Sequence, residues 1–220
     1  MISSEPNPLE TLLSLLDAER PLVAAHSRRV ATYAVRLAAQ YGVSPRALEA
    51  VRVGALLHDV GKLAVPSRIL EKSGRLSSRE HRELEIHPQV GVELVNRLGV
   101  EHEVCQIILY HHERWDGGGY PDRLAGRDID WAARIVSVAD VFDALTSARE
   151  HQQPLSTAAA RARIVRGAGK QFCPWIVSAL LSLPDSVLDS TSADSRPGFQ
   201  PDGCVRPNAL AATRAWVFRP

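Results

Sequence analysis

The chain of 220 residues is short of strand signals, aromatics, cysteine and net charge, and each shortage excludes something. Alternating apolar patterns are almost absent, whereas helix starts and stops recur about every 12 to 20 residues, which predicts an all-α bundle of about seven to nine helices. Aromatic residues make up 5%, yet the apolar total of 45% suffices for a real core in one domain or a domain with a tail. The three cysteines, Cys105, Cys173 and Cys204, are far apart and lack CxxC spacing, which argues against a disulfide framework or zinc knuckle and for a reducing cytoplasm. Charge is nearly balanced, 26 Lys and Arg against 25 Asp and Glu, so no overall field draws DNA or a membrane, and an anionic substrate has to be held by local groups. The longest apolar run, Trp175 to Leu183, is too short to span a bilayer, and the N-terminal MISSEPNPLE has neither the basic nor the apolar part of a signal peptide. A soluble, cytoplasmic protein without a membrane span is the expectation.

What the chain does contain is helix punctuation. Asn7 with Pro8 predicts a short leading helix carrying Leu9, Leu12, Leu13, Leu15 and Leu16, and Pro21 opens a longer one that bears His26 and stops at Gly42. Ser44 with Pro45 starts the next, whose aliphatic face leads into HDVGK, with Gly61 as a helix stop. VPSRIL reads as a turn, and Ser77 with Glu80 forms a capping box at the head of a helix carrying His81, Glu85 and His87. A further helix from Glu101 to Glu113 delivers His111 and His112, Asp130 caps the very apolar WAARIVSVADVFDALTS, and Thr157 and Trp175 begin the last two. Residues 1–8 are an N-terminal segment, 9–184 the domain, and 185–220 a flexible tail, rich in Ser, Asp, Pro and Gly, with a short helix between Asn208 and Val217.

Several polar residues sit where apolar neighbours make them conspicuous. His58 and Asp59 follow the run GALL, and burying such a pair without partners costs roughly several kcal/mol. A metal satisfies both; a hydrogen-bonded His beside a solvated Asp at a helix end is the other reading. Asp140 lies among Ile135, Val136, Val138, Ala139, Val141 and Phe142, so it needs a cation or strong donors. His111 and His112 are neighbours that reach one metal only at a helix end, which the following DGGG turn supplies. His26 alone on an Ala-rich face reads as a core or surface histidine, and His81 and His102 as solvated helix residues.

The string HHERWDGGGYP, from His111 to Pro121, resembles the signature of the HD-GYP family, and HSRRV at His26, HDVGK at His58, His87 with Gly91, and VAD at Asp140 resemble its other motifs. The resemblance covers roughly residues 10 to 183. It implies an HD-superfamily helical bundle holding two divalent metal ions, with His26, His58, Asp59 and Asp140 on one and Asp59, His87, His111 and His112 on the other. Asp59 bridges them in that scheme, and Asp143 orients a ligand histidine. Five imidazoles and two carboxylates without thiolate suit iron or manganese at least as well as zinc or nickel, and iron or manganese is the expectation.

The implied activity is hydrolysis of cyclic di-GMP, to pGpG or GMP, by a hydroxide held between the metals. Asp59 and Lys62 are the catalytic candidates; Lys62, Gly119, Tyr120, Pro121 and Arg149 are the substrate-binding ones. There are departures. Some family members place Glu four residues before the first His and use it for a third metal; here that position is Leu22, so the resemblance implies two. After Arg149, which also reads as a solvated arginine, the family's Pro-Tyr and basic residue are replaced by Glu150, His151 and Gln152, and Cys173 stands where Asp is usual. These motivate two alternatives: a catalytically weak module that binds cyclic di-GMP or a diguanylate cyclase partner, and a phosphohydrolase acting on another nucleotide.

Overall fold

A computed structural model of the chain describes residues 8–148 and 153–192. It holds eleven α-helical segments and no β-strand among the described residues. The first three are α1 (Pro8–Glu19), α2 (Pro21–Ala39) and α3 (Pro45–Leu57), followed by a 3-10 turn at Val60–Ala64. Next come α4 (Ser67–Leu70), α5 (Ser78–Glu85), α6 (His87–Asn96) and α7 (His102–Tyr110). The last four are α8 (Trp131–Thr146), α9 (Thr157–Arg166), α10 (Pro174–Ser182) and α11 (Asp185–Ser192). The all-α expectation is borne out. The count exceeds nine because VPSRIL, expected as a turn, closes the single-turn α4, and because the helix expected to run through His87 is broken at Ile86, making His87 the first residue of α6.

Caps read from the sequence are in place. Ser44 Oγ accepts the Ala47 N–H at 3.2 Å, the Ser77 and Glu80 box is closed on both sides, and Asp130 accepts from Ala132 and Ala133. Asn7 lies outside the described residues.

The main core joins α2, α3 and α8 through Val30, Ala34, Leu37, Val51, Ala55, Val136, Ala139 and Phe142, all essentially without solvent contact. A second cluster, with Leu57, Val60, Val95, Val104 and Ile108, ties α3 to α6 and α7. Gly61 is where the turn after α3 meets α6. It is not a helix stop, as expected, but a contact point: a Cβ there would lie 1.9 Å from the His87 carbonyl oxygen. Only glycine lets the turn carrying Asp59 press against the start of α6. Beyond Pro184, in the stretch expected as a tail, α11 packs back on the bundle: Leu188 is buried in the main core and Arg161 pairs with Asp185. The expected helix from Asn208 to Val217 lies outside the described residues.

Candidate metal centre

Five segments converge at one end of the bundle. His26 comes from the second turn of α2, His58 and Asp59 from the end of α3, and His87 from the start of α6. His111 and His112 lie just past the last residue of α7, and Asp140 sits in the middle of α8. Two groups result: Asp59, His87, His111 and His112, and His26, His58 and Asp140, with the donor atoms of each within 4.8 Å of one another. Asp59 lies between them, one oxygen 3.2 Å from His87 Nε2, the other 3.4 Å from His58 Nε2 and 4.0 Å from His26 Nε2.

The orientation of the rings follows from local backbone chemistry. His58, His87 and His111 each point Nδ1 at a carbonyl three residues back, Ala55, Leu84 and Ile108, at 2.7, 2.7 and 2.8 Å. A carbonyl only accepts, so Nδ1 carries the proton and Nε2 of the neutral ring is left with its lone pair facing inward. His87 Nε2 and His111 Nε2 then confront each other at 3.4 Å, with Asp59 Oδ1 within 3.2 and 3.9 Å of them. Three acceptors meet there without a proton between them. His58 Nε2 and Asp59 Oδ1 are buried and lack a hydrogen-bond partner. Both features fit a cation, and the nitrogen and oxygen donor set suits a transition metal.

The protonation pattern differs across the centre. Burial and the neighbouring His112, His58 and His87 hold His111 well below the usual histidine range, and burial takes His112 down to about 3. His26 behaves oppositely: burial works against its charge, but hydrogen bonds to Asp140 and Asp143, with the charges of Asp140 and Asp59, raise it to about 9. Burial would raise Asp59, yet the Lys62 ammonium beside it brings it well below the carboxylate range. Asp140 is lowered too, chiefly by its hydrogen bond with His26 against the cost of burial.

Asp143 supports His26 as expected, its Oδ2 accepting from Nδ1 at 2.7 Å. Its partner Arg29 was missed: Nε donates to Asp143 Oδ1 at 2.7 Å, fixing an otherwise fully buried carboxylate. The signal was available, since Arg29 is three residues after His26 and one turn of helix puts both on the same face. Lys62 Nζ donates to Asp59 Oδ2 at 2.6 Å from the rim. Tyr120 stacks on His112 at 4.8 Å with 30° between the rings. His81 faces solvent against Glu85, and Leu22 is 86% exposed. Arg149, Glu150, His151 and Gln152 lie outside the described residues.

A family model described as an HD domain matches residues 10–175. The chain belongs to the HD domain family. The HD-GYP recognition made from the motifs is borne out with it. This HD domain is 40% identical over 182 residues to the cyclic di-GMP phosphodiesterase response regulator RpfG of Xanthomonas campestris, covering 79% of this chain and 48% of the relative. It is 38% identical over 179 residues to the 3'3'-cGAMP-specific phosphodiesterase 2 of Vibrio cholerae, covering 80% of this chain and 34% of the relative. The chain thus spans half or less of the length of these curated relatives. A solved HDG"Y"P protein from Bdellovibrio bacteriovorus shares the fold, with a TM-score of 0.61 and 24% identity over 76% of this chain and 52% of that one. No helix among the described residues is long and apolar enough to cross a membrane.

Proposed function

We propose that this HD domain is a metal-dependent phosphodiesterase that hydrolyses cyclic di-GMP in the cytoplasm, to pGpG or GMP. The carrying observation is the inward convergence of His87 Nε2, His111 Nε2 and Asp59 Oδ1, acceptors that only a cation reconciles. The residues that would hold two divalent ions, iron or manganese, are His26, His58, Asp59, His87, His111, His112 and Asp140, with Asp59 placed between the two groups. When bound, such an ion pair supplies an activated water and neutralises charge on a phosphodiester in flight.

The chain's own groups supply the rest. Asp143 keeps His26 directed at Asp140, and three backbone carbonyls keep the rings of His58, His87 and His111 from rotating. Lys62, reaching from the rim, donates to a phosphate oxygen or to the departing alkoxide once Asp59 is engaged elsewhere. Tyr120 offers a flat face for a guanine or ribose, with Gly119 and Pro121 shaping the loop beside it, and Arg149 contributes a second cation for phosphate.

The relatives named for cyclic di-GMP and for 3'3'-cGAMP make the second nucleotide the competing substrate. The test is anaerobic purification with metal analysis, then turnover of both nucleotides beside an Asp59→Ala control. Two metals per chain, faster turnover of cyclic di-GMP and no turnover in the control support the proposal. Faster turnover of 3'3'-cGAMP corrects the substrate. Metal without turnover, together with tight nucleotide binding or capture of a diguanylate cyclase, moves the assignment to a binding module.

A further inference from the structure

Glu113 follows the two histidines directly and is buried to 3% exposure, although nothing in the ligand scheme uses it. Its Oε1 accepts the Asp122 N–H at 2.7 Å, across nine residues of sequence. Its Oε2 is buried without a hydrogen-bond partner. A carboxylate half satisfied inside a protein costs folding free energy that an apolar side chain would not, so its presence calls for a return elsewhere.

That return lies in what is seated on it. The loop from Gly119 to Asp122 is laid directly over the backbone of residues 112–114: a Cβ on Gly119 would come within 2.5 Å of the Arg114 nitrogen and 2.6 Å of the His112 oxygen and Glu113 Cα. Tyr120 N–H donates to the His112 carbonyl at 3.4 Å, at the far edge of hydrogen-bond distance. The short, charge-assisted bond from Asp122 to Glu113 is the stronger anchor, and it lies two residues beyond the Tyr120 ring that stacks on His112. Close approach at Gly119 sets the height of the loop; Glu113 sets its register.

We infer that Glu113 is a positioning residue: through the Asp122 amide it holds Tyr120 over His112, and so fixes the loop face against which a nucleotide base packs. The last step rests on the phosphodiesterase reading; the seating of the loop does not. Two measurements on the full chain separate them. Amide hydrogen exchange reads the seat itself: Glu113→Ala speeds exchange at Asp122 and Tyr120 about tenfold or more, with α8 unaffected, while Glu113→Gln, which keeps the acceptor, stays near wild type. Steady-state kinetics reads the consequence: KM for cyclic di-GMP rises about tenfold in Glu113→Ala with kcat within about twofold and metal content unchanged, the size expected for one lost charge-assisted hydrogen bond. In a Tyr120→Ala background the same substitution adds nothing.

Unchanged exchange at Asp122 and Tyr120 overturns the inference, as does a KM effect that persists in full without Tyr120. A Glu113→Gln protein as impaired as Glu113→Ala overturns it too. If Glu113→Ala does not fold, Glu113→Leu, which keeps the volume and removes the acceptor, carries the same expectations. A wild-type protein that hydrolyses no cyclic dinucleotide defeats the phosphodiesterase reading while the exchange experiment still decides the seat.

Discussion

The two halves of the centre are made of the same residue types and behave as opposites. At His111 and His112 the rings are neutral, because burial and neighbouring histidines disfavour charge, and a backbone carbonyl holds the proton of His111 on Nδ1. His26 instead lies between Asp140 and Asp143 and keeps a second proton, with its pKa at about 9. What distinguishes His111 from His26 is the partner of the outer nitrogen, a carbonyl for the one and a carboxylate for the other.

Removing the residue the halves share should erase the contrast altogether. Asp59→Ala is expected to lower metal content in both halves and turnover by roughly a thousandfold, the scale of losing a principal charge-stabilising group; metal analysis and single-turnover assays check it. Asp143→Asn should act on one half alone. It leaves His26 without its buried anion, so one of two metal sites weakens by roughly 10- to 100-fold while the other is unchanged, as a competitive chelator titration would reveal. Equal weakening of both sites would show that the halves are not independent.

Acidity should separate the halves by degree. Below about pH 9 an incoming cation must displace the His26 proton, so affinity there falls roughly tenfold per pH unit, whereas His112, lowered to about 3, has no proton to lose across the same range. Titrations of metal at pH 6.5, 7.5 and 8.5 should show one site moving and one nearly still. The sign reverses for the metal-free fold: the raised pKa of His26 stabilises it fully below its ordinary 6.5, and that contribution fades as pH rises through about 9. Leu188→Ala, which cuts the attachment of α11 far from either half, should cost about 2 to 4 kcal/mol of stability in thermal melts and leave both metal affinities as they were.

The parts of this centre that were legible in the sequence are those written in local chemistry. Caps at Ser44, Ser77 and Asp130 mark helix starts because the side chain bonds its own next turn. Of the seven side chains that the structure brings together, His58, Asp59, His111, His112 and Asp140 were conspicuous in the residues themselves, whereas His26 and His87 came only through the resemblance to the HD-GYP motifs. What escaped depends on contacts between distant segments. Gly61 looked like a stop because nothing nearby reveals that the His87 carbonyl, twenty-six residues on, comes to rest against it. Arg29 shares a helix face with His26, but the Asp143 carboxylate that ties the two together lies 114 positions from Arg29. The Asp185–Ser192 helix was hidden by its polar composition, with only Leu188 to signal burial.

The carbonyl pins on His58, His87 and His111 also bear on which ions the centre prefers. Each ring is fastened to a helix end, His87 to that of α5, so rotamer freedom of about 1 kcal/mol per side chain is already lost at folding. Such a cage is stiff. On the proposed metal-dependent reading, an ion that wants longer or shorter bonds would have to bend three helix ends to obtain them, and softening any one pin should broaden the range of metals accepted before it weakens the grip on the preferred one.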